Sequence, residues 1–240
     1  MKTLFHKIVR RINYTALTLV GRMFSYSIYN YKYHEISFSQ EGEDRILQRI
    51  FENQEKGFYI DIGAHHPQRF SNTYLFYLKG WRGINIDAMP GSMDIFNKLR
   101  PEDINIESAI SNTEEELTYY MFDEPALNGF NEELMLSRNF SKYQLLEKRT
   151  SKTKKLSKIL EKHLPNGDVI DFMTIDVEGL DLEVLQSNNW KQYRPKFVLV
   201  EDLTHFELDN PCESQVFIFM KKQGYTLYAK TKNTLFFHCS

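Results

Sequence analysis

Three short stretches of the 240-residue sequence bring carboxylates, a glycine and histidines together at spacings that could carry chemistry. The first is Asp61-Ile62-Gly63-Ala64-His65-His66-Pro67, which follows the apolar run Phe58-Tyr59-Ile60. A glycine there lets the backbone approach a ligand closely, and an acid two residues earlier can accept hydrogen bonds from a cationic ligand end. The second is Asp87, which ends the next apolar run 24 residues after Gly63. An acid at that offset is placed to accept from the two hydroxyls of a ribose. The third is Asp176 with Glu178, at the end of the run Val169 to Asp176. Strand side chains alternate between faces, so these two are expected to project to the same side. Carboxylates so placed can stabilise positive charge, act as a base or hold a metal ion. The plainer alternative is that Asp181 caps the next helix and Glu178 faces solvent. For Asp176 that alternative is weaker, because a carboxylate closing an apolar strand is costly without a partner.

The loop chooses between ligands. A dinucleotide site calls for Gly-x-Gly-x-x-Gly, so that a pyrophosphate rests against a helix N-terminus. Here a single glycine stands between an acid and a proline. That composition suits an amine-bearing ligand such as S-adenosylmethionine better than an anionic one.

These stretches need a scaffold. Ile46, Leu47, Ile50 and Phe51 share one face of a predicted helix over residues 43–51. Strands are expected at 58–62, 83–87, 104–110, 117–122, 169–176 and 196–201. Helices are expected at 71–78, where Ser71 can cap, at 92–100, where Ser92 can cap and Pro101 stops the run, and at 156–163, 180–186 and 213–223. A hairpin, 225–230 and 234–239, turns at Thr231-Lys232-Asn233. Strands separated by helices indicate an α/β fold, a mostly parallel sheet with helices on both faces, here with an antiparallel C-terminal hairpin strand. Residues 123–155 show little periodicity, and they read as an insertion or acceptor loop in a single domain over 38–240.

Phe38-Ser39-Gln40-Glu41-Gly42-Glu43-Asp44, Tyr59 to Pro67 with Phe70-Ser71-Asn72-Thr73, and Gly80 to Asp87 with Pro90-Gly91-Ser92 occur in order. Arg100-Pro101, Ala109-Ile110-Ser111 and Ile170 through Leu185 complete the series. Together they resemble the FkbM family of methyltransferases over about residues 38–201. The resemblance implies a class I methyltransferase fold, Rossmann-like with a seven-stranded sheet, S-adenosylmethionine as cofactor, and methyl transfer to an oxygen of a sugar, glycan or related biosynthetic intermediate. It implies that Asp61, Gly63 and Ala64 meet the methionine end of the cofactor and Asp87 the ribose. Ser108 and Ala109 would border the adenine, Gln40 and Glu43 would close the pocket, Asn72 would face it, and Asp176 would lie beneath the transferring methyl.

An alcohol is a poor nucleophile, so a base or a metal is needed to remove its proton. Candidates for the base are His65, His66, Glu178 and His205, with Glu178 and one of the adjacent histidines favoured. Asp176, Asp202 and His205 are an oxygen-rich alternative that could hold a divalent metal. The basic run Lys148, Arg149, Lys152, Lys154, Lys155 reads as a solvated loop, or as a contact for an anionic acceptor.

A formal charge of −2 gives no reason to expect nucleic acid. Residues 1–34 are nonetheless +6, with Phe5, Ile8, Ile12, Ala16, Leu19 and Met23 at helical spacing. A basic amphipathic helix over residues 1–37 is expected, too short and polar to span a membrane; it suits packing on the domain or a partner enzyme, the alternative being an anionic membrane surface. Two cysteines, Cys212 and Cys239, point to a reducing, cytoplasmic setting rather than a disulfide framework. The rival readings are a non-catalytic binding subunit of a biosynthetic complex, opposed by the intact acids, and a dinucleotide-dependent oxidoreductase, opposed by the missing glycines.

Overall fold

A computed structural model describes residues 35–137, 142–165, 169–203 and 214–239. The expected N-terminal helix, Cys212 and His205 lie outside the described residues.

Seven strands form one twisted sheet: β1 (Phe58–Ile62), β2 (Arg82–Asp87), β3 (Ile104–Glu107), β7 (Phe172–Ile175), β8 (Phe197–Glu201), β9 (Tyr225–Lys230) and β10 (Thr234–Cys239). Their order is β3-β2-β1-β7-β8-β10-β9, parallel except for β10, which runs against both its neighbours. The seven-stranded, mostly parallel arrangement with helices on both faces is the one the sequence led us to expect.

The central strands are apolar along both faces because both are covered. One face presents Ile60, Ile62, Ile84, Met173, Val198 and Leu235 to α5 (Leu156–His163), α6 (Asp181–Ser187) and α7 (Gln215–Lys222). The other presents Tyr59, Phe172, Leu199 and Phe236 to α1 (Glu43–Ile50) and α2 (Tyr74–Leu78), with Trp81 fully enclosed among them. Burial of one such large side chain contributes roughly 1.5–3 kcal/mol. Beyond β2, α3 (Ser92–Leu99) packs Met93 and Phe96 on Ala64. Its N-cap is Gly91, in the left-handed region, rather than Ser92. Ser71 accepts from the amide of Tyr74, the first residue of α2.

On the Tyr59 face lies a buried polar knot. Arg100, with no exposed surface, donates to Asp103 (2.9 Å), to the Tyr59 hydroxyl (2.8 Å) and to Thr73 (3.0 Å). Thr73 in turn donates to Asp61 (2.6 Å). Asp103 also accepts from Tyr59, from Asn85 and from the Gly83 amide.

Three expectations shift. The strand read as 104–110 is broken at Ser108: β3 stays in the main sheet, while β4 (Ala109–Ile110) starts a second sheet. The run read as 169–176 is a strand only over Phe172–Ile175; Asp171 instead accepts from the Phe58 amide and from Lys196. The stretch 123–155, read as aperiodic, contains a 3-10 turn (Pro125–Leu127), α4 (Glu132–Leu136) and the ten-residue strand β6 (Leu145–Lys154). β6 pairs antiparallel with β5 (Glu116–Phe122) and, at its end, parallel with β4. Beyond Leu145 and Leu146 its residues are polar on both faces, and there it is held by backbone pairing rather than by an apolar stripe; periodicity could not disclose it.

Among the described residues no helix is long and apolar enough to cross a membrane.

Candidate functional site

From β1 the chain winds outward to β2 and β3, then returns to the far side of β1 as β7. In open parallel sheets a ligand crevice opens at that reversal, beyond the carboxyl ends of the strands. The larger cavity lies there, lined by Gly63, Asp87, Ser108, Asp176, Glu178 and Glu201 among others. Its water-accessible space, about 220 Å³, far exceeds the roughly 10–15 Å³ that one water needs. A smaller annexe of about 20 Å³ adjoins it, lined by Gln40, Glu43, Asn72 and Thr234.

The β1 loop forms the wall between the two halves of the sheet. The amides of Gly63 and Ala64 both donate to the Ile86 carbonyl (2.9 and 3.0 Å), which pins the loop to β2. Gly63 has φ 79°, and a side chain there would overlap the Asp176 carbonyl oxygen, so no other residue type fits. His65 has φ 51° and donates its amide to Asp87 (2.8 Å). Among the described residues the three non-glycine residues with positive φ, His65, Phe70 and Glu178, all line this cavity. Such backbone strain collects where a site over-determines its geometry.

Asp87 accepts from the His65 and Met89 amides, one on each oxygen (2.8 Å each). Burial raises its pKa while those two amides oppose the rise. Its carboxylate keeps lone pairs for further donors, since two oxygens offer about four acceptor positions.

Across the cavity, oxygens of Asp176, Glu178 and Glu201 lie within 4.8 Å of one another. Asp176 is surrounded by protein, yet solvent reaches it through the cavity. Burial first, and Glu178 second, push its carboxyl up to about 7, against a hydrogen bond with Glu201. Burial and then Asp176 raise Glu201 well above the usual carboxylate range. No donor faces Oε2 of Glu201. Asp181 is buried beneath the group and accepts from the Val177 and Gly179 amides (3.1 Å each), holding the turn that carries Glu178. The plainer expectation fails for both residues: the N-cap of α6 is Leu180, with no side chain capping the helix, and Glu178 lines the cavity.

The other expected residues fall as follows. Gln40 lines both cavities, and Glu43 and Asn72 only the annexe. Asn72 donates to Thr174 (2.9 Å), and Glu43 accepts from Thr234 (3.1 Å). Ser108 lines the main cavity; Ala109 is buried beside it, and Ala64 packs into the cluster with Phe96. Asp61 does not reach the cavity: its carboxylate turns to Thr73, and burial moves it up to about 6 against the pull of Arg100. His65 faces the cavity with Nε2 enclosed and unpartnered, and burial lowers it to about 4. His66 Nδ1 instead accepts from the Gln68 and Arg69 amides, shaping the turn. Of Asp176 and Asp202, only Asp176 belongs to the close carboxylate group; Asp202 is buried, its amide bound to the Asn233 carbonyl, and His205 lies outside the described residues.

Glu201, Tyr119, Asn128, Phe130 and Asn233 line the cavity without having been singled out from the sequence. Glu201 had a usable signal, because it closes the apolar run Phe197-Val198-Leu199-Val200 as Asp176 closes its own.

Residues 61–227 match a family model described as "Methyltransferase FkbM domain", well over half the chain. None of the curated proteins compared matches it.

Proposed function

Because the chain belongs to the FkbM methyltransferase family, we propose that it moves the methyl group of S-adenosylmethionine to a hydroxyl oxygen of a sugar, glycan or related biosynthetic intermediate. The observation that carries this reading is the polarity of the cavity. Asp87 stands on one side, the group Asp176, Glu178 and Glu201 on the other, and among the described residues no lysine or arginine lines the space between. A ligand with cationic ammonium and sulfonium groups is favoured there, and a pyrophosphate is not.

S-adenosylmethionine, when bound, supplies a methyl carbon already activated toward displacement. The residues then have to hold the acceptor hydroxyl in line and take its proton. Asp87 would accept from the ribose hydroxyls. Asp176, with a pKa of about 7, is matched to general-base work near neutrality. Its proton acceptance balances the step: the oxygen–carbon bond forms, the carbon–sulfur bond breaks toward sulfur, and the hydroxyl proton moves to the carboxylate. His65, lowered to about 4, is a weaker base at that pH and is assigned to positioning.

Calorimetric titration is expected to give an affinity near micromolar for S-adenosylmethionine and none for NAD; the reverse pattern overturns the reading. In the same assay Asp87→Asn, which swaps one acceptor for a donor, is expected to weaken binding by roughly 10- to 100-fold. An unchanged affinity would remove Asp87 from the ribose.

The close approach of three carboxylates favours one second reading, a divalent cation held by Asp176, Glu178 and Glu201. Dialysis against a chelator separates the two: transfer that persists supports the carboxylate base, and transfer lost and then restored by Mg²⁺ or Mn²⁺ supports the cation.

A further inference from the structure

Four carboxylates line the larger cavity, and no cation among the described residues balances them. An anionic group on an acceptor would be repelled from that end and would have to find a positive charge at the rim. Arg69 stands at the rim beside Phe70, but Glu124 already engages it through two hydrogen bonds of 2.8 and 2.9 Å.

The β5–β6 ladder supplies another cation. Arg149 lies directly opposite Tyr119, and directly opposed residues of antiparallel strands share a face. Tyr119 is buried, lines the cavity, and packs on Phe130 with ring centroids 4.7 Å apart. Glu147, Ser151 and Thr153 share that face of β6, so Arg149 is its single cation. Lys148, Lys152 and Lys154 take the opposite face, where Lys148 lies over the Tyr120 ring. Arg149 is exposed and, among the described residues, has no ion pair.

Resting on the methyl-transfer reading above, we propose that the acceptor carries a carboxylate or phosphate, as an acidic or phosphorylated sugar does, and that Arg149 binds this anion at the rim. Tyr119 and Phe130 offer an apolar surface between that anion and the hydroxyl. The anion is drawn to Arg149 and repelled by Asp176, Glu178 and Glu201, so the acceptor enters in one orientation with its hydroxyl toward Asp176. Arginine suits the role because its planar fork pairs with two oxygens at once.

The test uses the full chain, wild type and Arg149→Gln, with tritiated S-adenosylmethionine. Acceptors are offered as matched pairs: glucose with glucuronate, galactose with galacturonate, and glucose with glucose 6-phosphate. Calorimetry of S-adenosylmethionine comes first, and failure there defeats the methyl-transfer reading itself. With the cofactor bound, the wild type is expected to favour an anionic member over its neutral partner by roughly tenfold or more in kcat/KM. Arg149→Gln is expected to bring that ratio near one, chiefly through KM, with Arg149→Lys intermediate. The inference is overturned by an equal ratio in wild type and Arg149→Gln, by transfer to no anionic member, or by a change confined to cofactor affinity, which would assign Arg149 to the methionine carboxylate.

Discussion

The Asp176→Asn enzyme is expected to bind S-adenosylmethionine and yet to transfer its methyl group about 10²- to 10⁴-fold more slowly, the usual contribution of a positioned base. Asparagine keeps the shape of aspartate but carries no charge, exchanges one acceptor oxygen for an amide donor, and cannot accept the proton. Wild-type kcat/KM should rise about tenfold per pH unit below a pKa of about 7 and level off above it, because the base acts when deprotonated. In Asp176→Asn that limb should disappear; a variant that keeps it would place the base elsewhere, Glu178 first. Stability is expected to move the other way. Burial and Glu178 raise the folded-state pKa above the unfolded one, so the folded chain binds more protons between about pH 4 and 7. The contribution of this carboxyl is therefore present at low pH and lost as pH rises through about 7. Asp176→Asn removes that loss, and its melting temperature should exceed the wild type's at pH 8 and approach it near pH 4. A slower enzyme that melts higher in alkali is a combination that general damage to the fold would not produce.

Arg100→Met should cost about 3–5 kcal/mol, the penalty for leaving buried partners uncompensated, out of a total that for most domains is roughly 5–15 kcal/mol. Asp103 would lose its cation, Tyr59 and Thr73 a donor each, and Asp61 the charge that opposes its rise. Urea unfolding measures the effect; a loss under about 1 kcal/mol would show that the knot contributes little. Lysine should not rescue it, since one ammonium cannot span the directions that the guanidinium reaches. Adding Asp61→Asn to Arg100→Met should recover part of the loss, a coupling that a double-mutant cycle reads directly.

The two predictions mark how far the sequence alone reaches. Wherever burial forced apolar residues into runs, as in Phe58–Ile62, Phe197–Val200 and the closing hairpin, strands were legible, and a carboxylate ending such a run pointed to the site. Asp87 and Asp176 were found in this way, and Glu201 obeys the same rule. Asp61 stands in a run too, but its partners Thr73 and Arg100 are 12 and 39 positions away in sequence, and only the folded chain shows that it faces inward to them. His65 and His66 are neighbours of one type with different duties, divided by a single positive φ at His65. β6 left no trace in periodicity because its partner is backbone, and Tyr119 became a cavity residue only when β5 and β6 were paired.

The annexe is closed by contacts between distant parts of the chain: Glu41 accepts from the Asn233 amide (3.0 Å), and Glu43 from the Thr234 hydroxyl (3.1 Å). These pairs are 192 and 191 positions apart. During synthesis, the Asp61 loop and Asp87 leave the ribosome long before the hairpin that seals their neighbourhood. A partly made chain can thus hold the Asp87 side of the cavity without the closed annexe, and loops of such length close late in folding. Closure of the pocket is thus a mark of completion: it is finished only when β10 has taken its place between β8 and β9.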